Sequence, residues 1–164
     1  MKILSPAQVA RKIKRLAIEI HANHIEDKEL YFAGINDKGL KFATIVSDEL
    51  SNISQIKIHR FGIKLNPAEP LIKEIEATLD IKSLEGSKII LFDDVANTGR
   101  TFFYACKPFL SIIPSKLETA ALIDRKHKSF PVHIDYVGLS LATTLHDNIE
   151  VIFKENNVVE AFLG

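Results

Sequence analysis

Ile89-Ile90-Leu91-Phe92-Asp93-Asp94-Val95-Ala96-Asn97-Thr98-Gly99-Arg100-Thr101 decides how this chain is read. With Lys88 in front, its first four residues form a continuous apolar run, as expected of a strand buried on both faces. Two carboxylates stand at the carboxyl end of that strand. Thr98-Gly99-Arg100-Thr101 then lead into a helical segment reaching about Leu110, which Pro108 kinks or shortens. A helix start offers unpaired N–H groups and a partial positive charge, so it favours an anion. Gly99 lets backbone approach a ligand closely, and Thr98 and Thr101 add hydroxyl donors. The stretch therefore reads as a phosphate cradle with two acids beside it. Those acids would repel the same phosphate, so they match hydroxyls or a metal-bridged ligand nearby. A sugar phosphate is the natural guest. No Gly-Lys-Ser/Thr loop and no G-x-G-x-x-G loop occurs anywhere in the chain, which removes two common nucleotide-binding classes.

Working outward, Leu30 to Ile35 is a second apolar run, broken by Asn36-Asp37-Lys38-Gly39. Helical spacing resumes through Leu40, Ala43, Ile45, Val46 and Leu50. Ahead of it, Ser5, Pro6 and Gln8 predict a capped helix over residues 5–22 with Val9, Ile13, Leu16, Ala17 and Ile20 on one stripe. Its other face carries Arg11, Lys12, Lys14 and Arg15, read as a solvated surface, an oligomer contact or a polyanion contact. Ile56, Ile58 and Phe61 alternate with Lys57, His59 and Arg60 as an extended strand. Residues 66–87 form an excursion from the core. Leu117–Ile123, Ile134–Gly138, Glu150–Phe153 and Val158–Leu163 are further strands. Apolar strands alternating with helices predict an α/β fold, a mostly parallel sheet covered on both faces that binds ligands beyond the carboxyl ends of its strands.

Bulk properties agree. The 164 residues are 46% apolar and 26% charged, the values of one globular domain. The lone Cys106 excludes a disulfide framework and a cysteine zinc site. Balanced charge, 21 basic against 21 acidic residues, argues against a protein devoted to nucleic acid. No apolar run approaches a membrane span and the first residues lack a signal-peptide pattern, so a cytoplasmic protein with no membrane partner is expected. His21 and His24 sit three apart near a helix end, where capping is the favoured use.

The stretch 89–101 resembles the phosphoribosyl-pyrophosphate (PRPP) signature of the type I phosphoribosyltransferases. Ala33-Gly34-Ile35-Asn36-Asp37-Lys38-Gly39 resembles that family's pyrophosphate loop. Leu122 to His127, Phe130-Pro131 and Asp135 to Gly138 resemble its base-binding end, most of all in the pyrimidine-operon attenuator/uracil phosphoribosyltransferase subfamily. The resemblance implies a single domain over 1–164: a mostly parallel sheet with helices on both faces, a small flexible hood at about 61–71 and a base-binding end at about 124–146. It implies that Asp93 and Asp94 meet the ribose hydroxyls, that Ala96, Asn97, Thr98, Gly99, Arg100 and Thr101 hold the 5-phosphate, and that Asn36, Asp37, Lys38 and Gly39 hold the pyrophosphate. Lys38, His59 and Arg60 would supply charge to the leaving group. Asp124, Arg125 and the backbone of Tyr136 and Val137 would meet the base. Mg²⁺ would be held mainly through PRPP oxygens, with Asp93 or Asp94 the candidate protein ligand.

The implied activity is transfer of phosphoribosyl from PRPP to a nucleobase by a dimer or larger oligomer. Asn97 stands where the 6-oxopurine enzymes carry an aspartate, and an amide cannot act as a base, which favours a pyrimidine and uracil first. The alternatives are a purine enzyme and a nucleotide-sensing RNA regulator. Lys38 replaces the regulator subfamily's usual arginine and loses its bidentate fork. The Ile58–Gly62 stretch also differs from that subfamily's Tyr-Arg and two acids. The basic run Arg125-Lys126-His127-Lys128 has three readings: a solvated loop, a contact to base or product phosphate, and RNA, the last opposed by the neutral net charge.

Overall fold

The computed structural model describes residues 1–142 and 147–164. Strands β2 (Glu29–Ile35), β3 (Lys57–Lys64), β4 (Glu76–Ala77), β5 (Lys88–Ala96), β6 (Lys116–Arg125) and β7 (Tyr136–Leu141) form one sheet in the order β4-β3-β2-β5-β6-β7. All neighbours are parallel except β4, which runs antiparallel along β3. Helices α1 (Pro6–Asn23) and α2 (Asn36–Ile53) cover one face, and α3 (Arg100–Ala105) packs on β5 on the other. The strand side chains alternate accordingly. Phe32, Ile90, Phe92 and Leu122 join the α1/α2 core, while Ala33, Ile89, Leu91 and Ala121 join the core that holds Phe102 and Phe109. Both faces are buried, which is why these strands read as unbroken apolar runs.

Three short strands, β1 (Lys2–Leu4), β8 (Ile149–Phe153) and β9 (Val159–Leu163), form a second sheet, antiparallel in the order β1-β9-β8. Leu4, Val151, Val159 and Ala161 extend the α1/α2 core into it. Glu160 lies between Lys2, at 2.5 Å, and Lys154, and so ties a residue of each strand region together. Strand β1 is three residues long and carries no periodic signal, so the sequence reading omits it.

Several boundaries differ from expectation. Asn36–Gly39 is not a separate turn: α2 begins at Asn36 directly after β2, with Asn36 in the left-handed region at φ 51°. Strand β5 continues through both acids to Ala96, leaving only Asn97–Gly99 as loop. The hood placed at 61–71 overlaps β3, where Phe61, Gly62 and Ile63 are buried, so the loop proper starts at Leu65. The helix after Gly99 ends at Ala105 and becomes a 3₁₀ turn over Lys107–Ser111, the shortening that Pro108 predicts. Ser5 caps α1 with both halves of the capping box made, as expected. Of the base-binding end, residues 143–146 lie outside the described residues.

Candidate active site

In chain order the sheet starts at β2, adds β3 and β4 on one side, then returns to add β5, β6 and β7 on the other. The reversal falls between β2 and β5, and the crevice beyond their carboxyl ends is where such sheets take ligands. Two glycines shape its floor. A Cβ on Gly34 would stand 2.3 Å from Leu40 Cα, and one on Gly39 would stand 2.5 Å from the Phe92 carbonyl oxygen. Without side chains there, the first turn of α2 lies directly on β2 and β5. That close approach brings Lys38 Nζ to 3.8 Å from Asp94 Oδ2.

Asp93 and Asp94 leave the buried part of β5 together. The Asp94 N–H donates to Asp93 Oδ1 at 2.9 Å. Burial, then the charge of Asp94, pushes the Asp93 carboxyl well above the usual carboxylate range, against the pull of Lys38. This pair is short of positive charge and suited to hydroxyl donors or a cation. Oxygen donors from two carboxylates fit Mg²⁺, and among the described residues no cluster of three or more His, Cys, Asp or Glu could hold a metal unaided. Ligand oxygens would have to complete its shell.

The loop after β5 turns at Gly99, φ 86°, a left-handed conformation that glycine adopts freely. A cleft of about 520 Å³ opens on it, lined by Val95 to Phe102 with Pro67, Ala68, Ser129 and Phe130. Its size suits a small ligand. Arg100 Nη2 donates to the Pro67 carbonyl at 2.6 Å, joining the 65–75 excursion to this loop, and the Leu65 N–H donates to Asn36 Oδ1 at 3.0 Å. So Asn36, Lys38, Gly39, Asp93, Asp94 and residues 96–101 converge. The Asp37 carboxylate faces Lys41 instead, 3.7 Å away and largely exposed.

The base end is gathered only in part. Asp124 and Arg125 close β6 beside the loop, with Arg125 Nη1 donating to Asn97 Oδ1 at 3.2 Å. Tyr136 and Val137 stand deeper along the sheet. They open β7 and pair with Ala120 and Ala121, level with Phe92 and Asp93 of β5, so Val137 stands at the height of the first acid and about 13 Å short of Arg125 at 3.3 Å per residue. The Tyr136 hydroxyl donates to Glu118 Oε2 at 2.8 Å in the core, and the Val137 carbonyl accepts from Arg15. The residues of β7 level with Asp124 and Arg125 are Ser140 and Leu141. Counting a parallel register forward from the start of each strand would have found them.

Arg60 and His59 stand elsewhere than the sequence reading expects. Arg60 reaches Ser47 Oγ at 3.4 Å and Asp48 Oδ1 at 3.6 Å, and Asp48 lies about 18 Å along α2 from Asn36 at 1.5 Å per residue. His59 stacks on Tyr31 and reaches Glu29 at the amino end of β2. Neither faces the crevice. His24 does lie at the end of α1, where its N–H caps His21, but its ring is buried between Asp27 and Glu118.

Residues 2–156 match the phosphoribosyl transferase domain. Two curated relatives, both described as bifunctional protein PyrR, are those of Deinococcus radiodurans, 28% identical with 98% of this chain and 93% of that one covered, and of Haemophilus ducreyi, 30% identical with 91% and 87% covered. Among solved structures, a hypoxanthine-guanine phosphoribosyltransferase from Bacillus anthracis superposes with a TM-score of 0.69 at 20% identity, covering 85% of this chain and 81% of that one. The hypoxanthine phosphoribosyl transferase of Trypanosoma cruzi gives 0.73 at 18%, covering 86% and 77%. At such identities the structures speak for the fold, which is that of the type I enzymes. The family match runs through the acidic pair, the glycine loop and the first turn of α2, and on that basis the chain belongs to the phosphoribosyl transferase domain family.

Proposed function

We propose that this protein transfers the 5-phosphoribosyl group from PRPP to a nucleobase, uracil first, releasing pyrophosphate and a nucleoside monophosphate. The observation that carries the reading is the Asp93–Asp94 pair, with Lys38 beside it and the Gly99 loop following, at the switch point of the sheet. The two carboxylates accept from the ribose 2- and 3-hydroxyls. The loop backbone and the hydroxyls of Thr98 and Thr101 hold the 5-phosphate. Backbone N–H groups of Asn36 to Gly39 and the Lys38 ammonium meet the pyrophosphate. Asp93 or Asp94, together with PRPP oxygens, would hold Mg²⁺, and the bound ion would supply positive charge beside the pyrophosphate.

The nitrogen–carbon bond forms as the bond to pyrophosphate breaks, at a carbon with oxocarbenium character, and the ring N–H proton leaves with the departing pyrophosphate. The protein contributes chiefly by holding the two partners in line and by placing charge. Asp124, Arg125 and the backbone of β7 from Tyr136 and Val137 to Leu141 meet the base. Asn97 has its carboxamide oxygen engaged by Arg125 and carries no group that could remove a ring proton, which supports a pyrimidine. A homo-oligomer, cytoplasmic in the cell, completes the reading. Among the described residues no helix is long and apolar enough to cross a membrane.

The test is incubation with PRPP and Mg²⁺ against uracil, orotate, adenine, hypoxanthine, guanine and xanthine separately, following pyrophosphate and the nucleoside monophosphate. Turnover with uracil alone is expected. Turnover with a 6-oxopurine would overturn the reading of Asn97, and binding of PRPP without turnover on any base would point to a regulator. Asp93→Asn and Asp94→Asn should each lower kcat/KM on the order of 10²–10³-fold.

A further inference from the structure

The basic run Arg125–Lys128 is not uniformly solvent-facing: Lys126 and His127 are exposed, while Arg125 is buried and Lys128 half-buried. An ammonium has three N–H donors. Here Asp124 Oδ1, the Arg125 carbonyl and the Asn97 carbonyl, the last at 3.1 Å, take all three. The Lys128 stem passes directly over the loop glycine: a Cβ placed on Gly99 would come within 3.3 Å of Lys128 Cδ. The ammonium thus reaches across the phosphate loop and has no donor left for a ligand.

The neighbours of Lys128 hold the same loop. The N–H groups of Ser129 and Phe130 both donate to the Thr98 carbonyl, at 2.9 and 3.2 Å. Arg125 Nη1 donates to Asn97 Oδ1 at 3.2 Å. On the other side, the Lys126 N–H donates to the carbonyl of Leu141, the last residue of β7, at 3.2 Å. One segment therefore grips the phosphate loop and both strand ends of the base side. The side chains of Lys128 and Asp124 are only 20% and 18% exposed, so solvent ions screen the pair weakly.

We propose that Lys128 is a positioning residue that couples the phosphate loop to the base end, so that sugar phosphate and base each raise the affinity for the other. This rests on the transferase reading above. A base seated on Asp124 and Arg125 fixes the acceptors that orient Lys128, and Lys128 then holds the Asn97 carbonyl and the loop that must be ordered around phosphate. A ligand that orders a shared element lowers the ordering cost for the next one. The coupling is reciprocal by thermodynamic necessity.

The experiment uses a pair that cannot react. Ribose 5-phosphate carries the phosphate and the hydroxyls but no pyrophosphate, so its affinity can be titrated calorimetrically with and without saturating uracil, or the base that turns over. In the intact protein the base should tighten ribose 5-phosphate about fivefold or more, the ordinary range of such couplings. Lys128→Met should bring that ratio close to one, and Lys128→Arg should restore most of it. Lys128→Gln, which keeps a donor for only part of the triad, gives the same reading where the methionine variant does not fold. An undiminished ratio in a folded Met or Gln variant would overturn the proposal, as would a ratio of one in the intact protein. Failure of the intact protein to bind ribose 5-phosphate at all would instead remove the transferase reading, and this inference with it. A merely structural lysine would weaken both ligands without changing the ratio.

Discussion

Gly39 has no room for a side chain, and the chemistry depends on it. A methyl group would press on the Phe92 carbonyl at 2.5 Å, where backbone must move to relieve it. Gly39→Ala should destabilise by about 1–3 kcal/mol, the usual cost of overpacking, seen as a lower denaturant midpoint. It should also lift the first turn of α2 and carry Lys38 away from Asp94, so activity falls further than stability alone explains. Arg60 gives the opposite expectation. Its partners are Ser47 and Asp48, far from the crevice, so Arg60→Ala should leave kcat nearly unchanged in the pyrophosphate assay. Asp93, Asp94 and Gly99 were legible in the sequence because their function is local, an acid pair at a strand end and a glycine before a helix. Arg60 was not, because the two-residue period of a strand tells which face a side chain takes but not how far it stands from the strand end.

At the level of elements, the amino ends of the strands carry a polar network that the transferase chemistry does not use. His24 closes α1 with its ring fully buried, Nδ1 2.7 Å from Asp27 and Nε2 2.5 Å from Glu118. Lys88 reaches Asp27, Lys116 reaches Glu118, and the Tyr136 hydroxyl donates to Glu118. Burial alone would lower the imidazole pKa, but the hydrogen bonds to Glu118 and Asp27 outweigh it and raise it above its ordinary 6.5. The folded state thus binds the proton more tightly than the unfolded chain. That contribution to stability is fully present below the ordinary histidine pKa and is lost as pH rises through the raised value. Asp27 and Glu118 are lowered, so their contribution fades instead as acid protonates them below the normal carboxylate range. Denaturation midpoints should therefore decline as pH rises above the ordinary histidine pKa and through the raised value. His24→Gln should flatten that decline and cost about 1–3 kcal/mol, since it removes a charged donor from two carboxylates that keep Lys88, Lys116 and the Tyr136 hydroxyl. The spacing of His21 and His24 made a helix end visible, but nothing in one dimension announces Glu118, which arrives from β6.

For the whole molecule, the parallel sheet was readable because β2, β5 and β6 are buried on both faces and show it as unbroken apolar runs. In the second sheet β8 and β9 were readable as strands, but β1 was not, since it is three residues long and its pairing with β9 joins the two ends of the chain. If PRPP binds the folded state alone, PRPP with Mg²⁺ at about a hundred times Kd adds about 2.7 kcal/mol, and Tm in a thermal melt should rise by roughly 5–10 °C for a chain of this size. The connection between β3 and β5 has a different consequence. Leu71 and Ile72 stand exposed at 64% and 62% on the excursion, with the core strands complete before and after them. One protease nick there yields two pieces, the first holding β1, β2 and β3, the second β4 to β9. They meet along the full β2–β5 seam and again where β4 lies on β3 and β1 on β9. Such pieces should stay together through gel filtration, and, made separately, should complement one another as a split protein does.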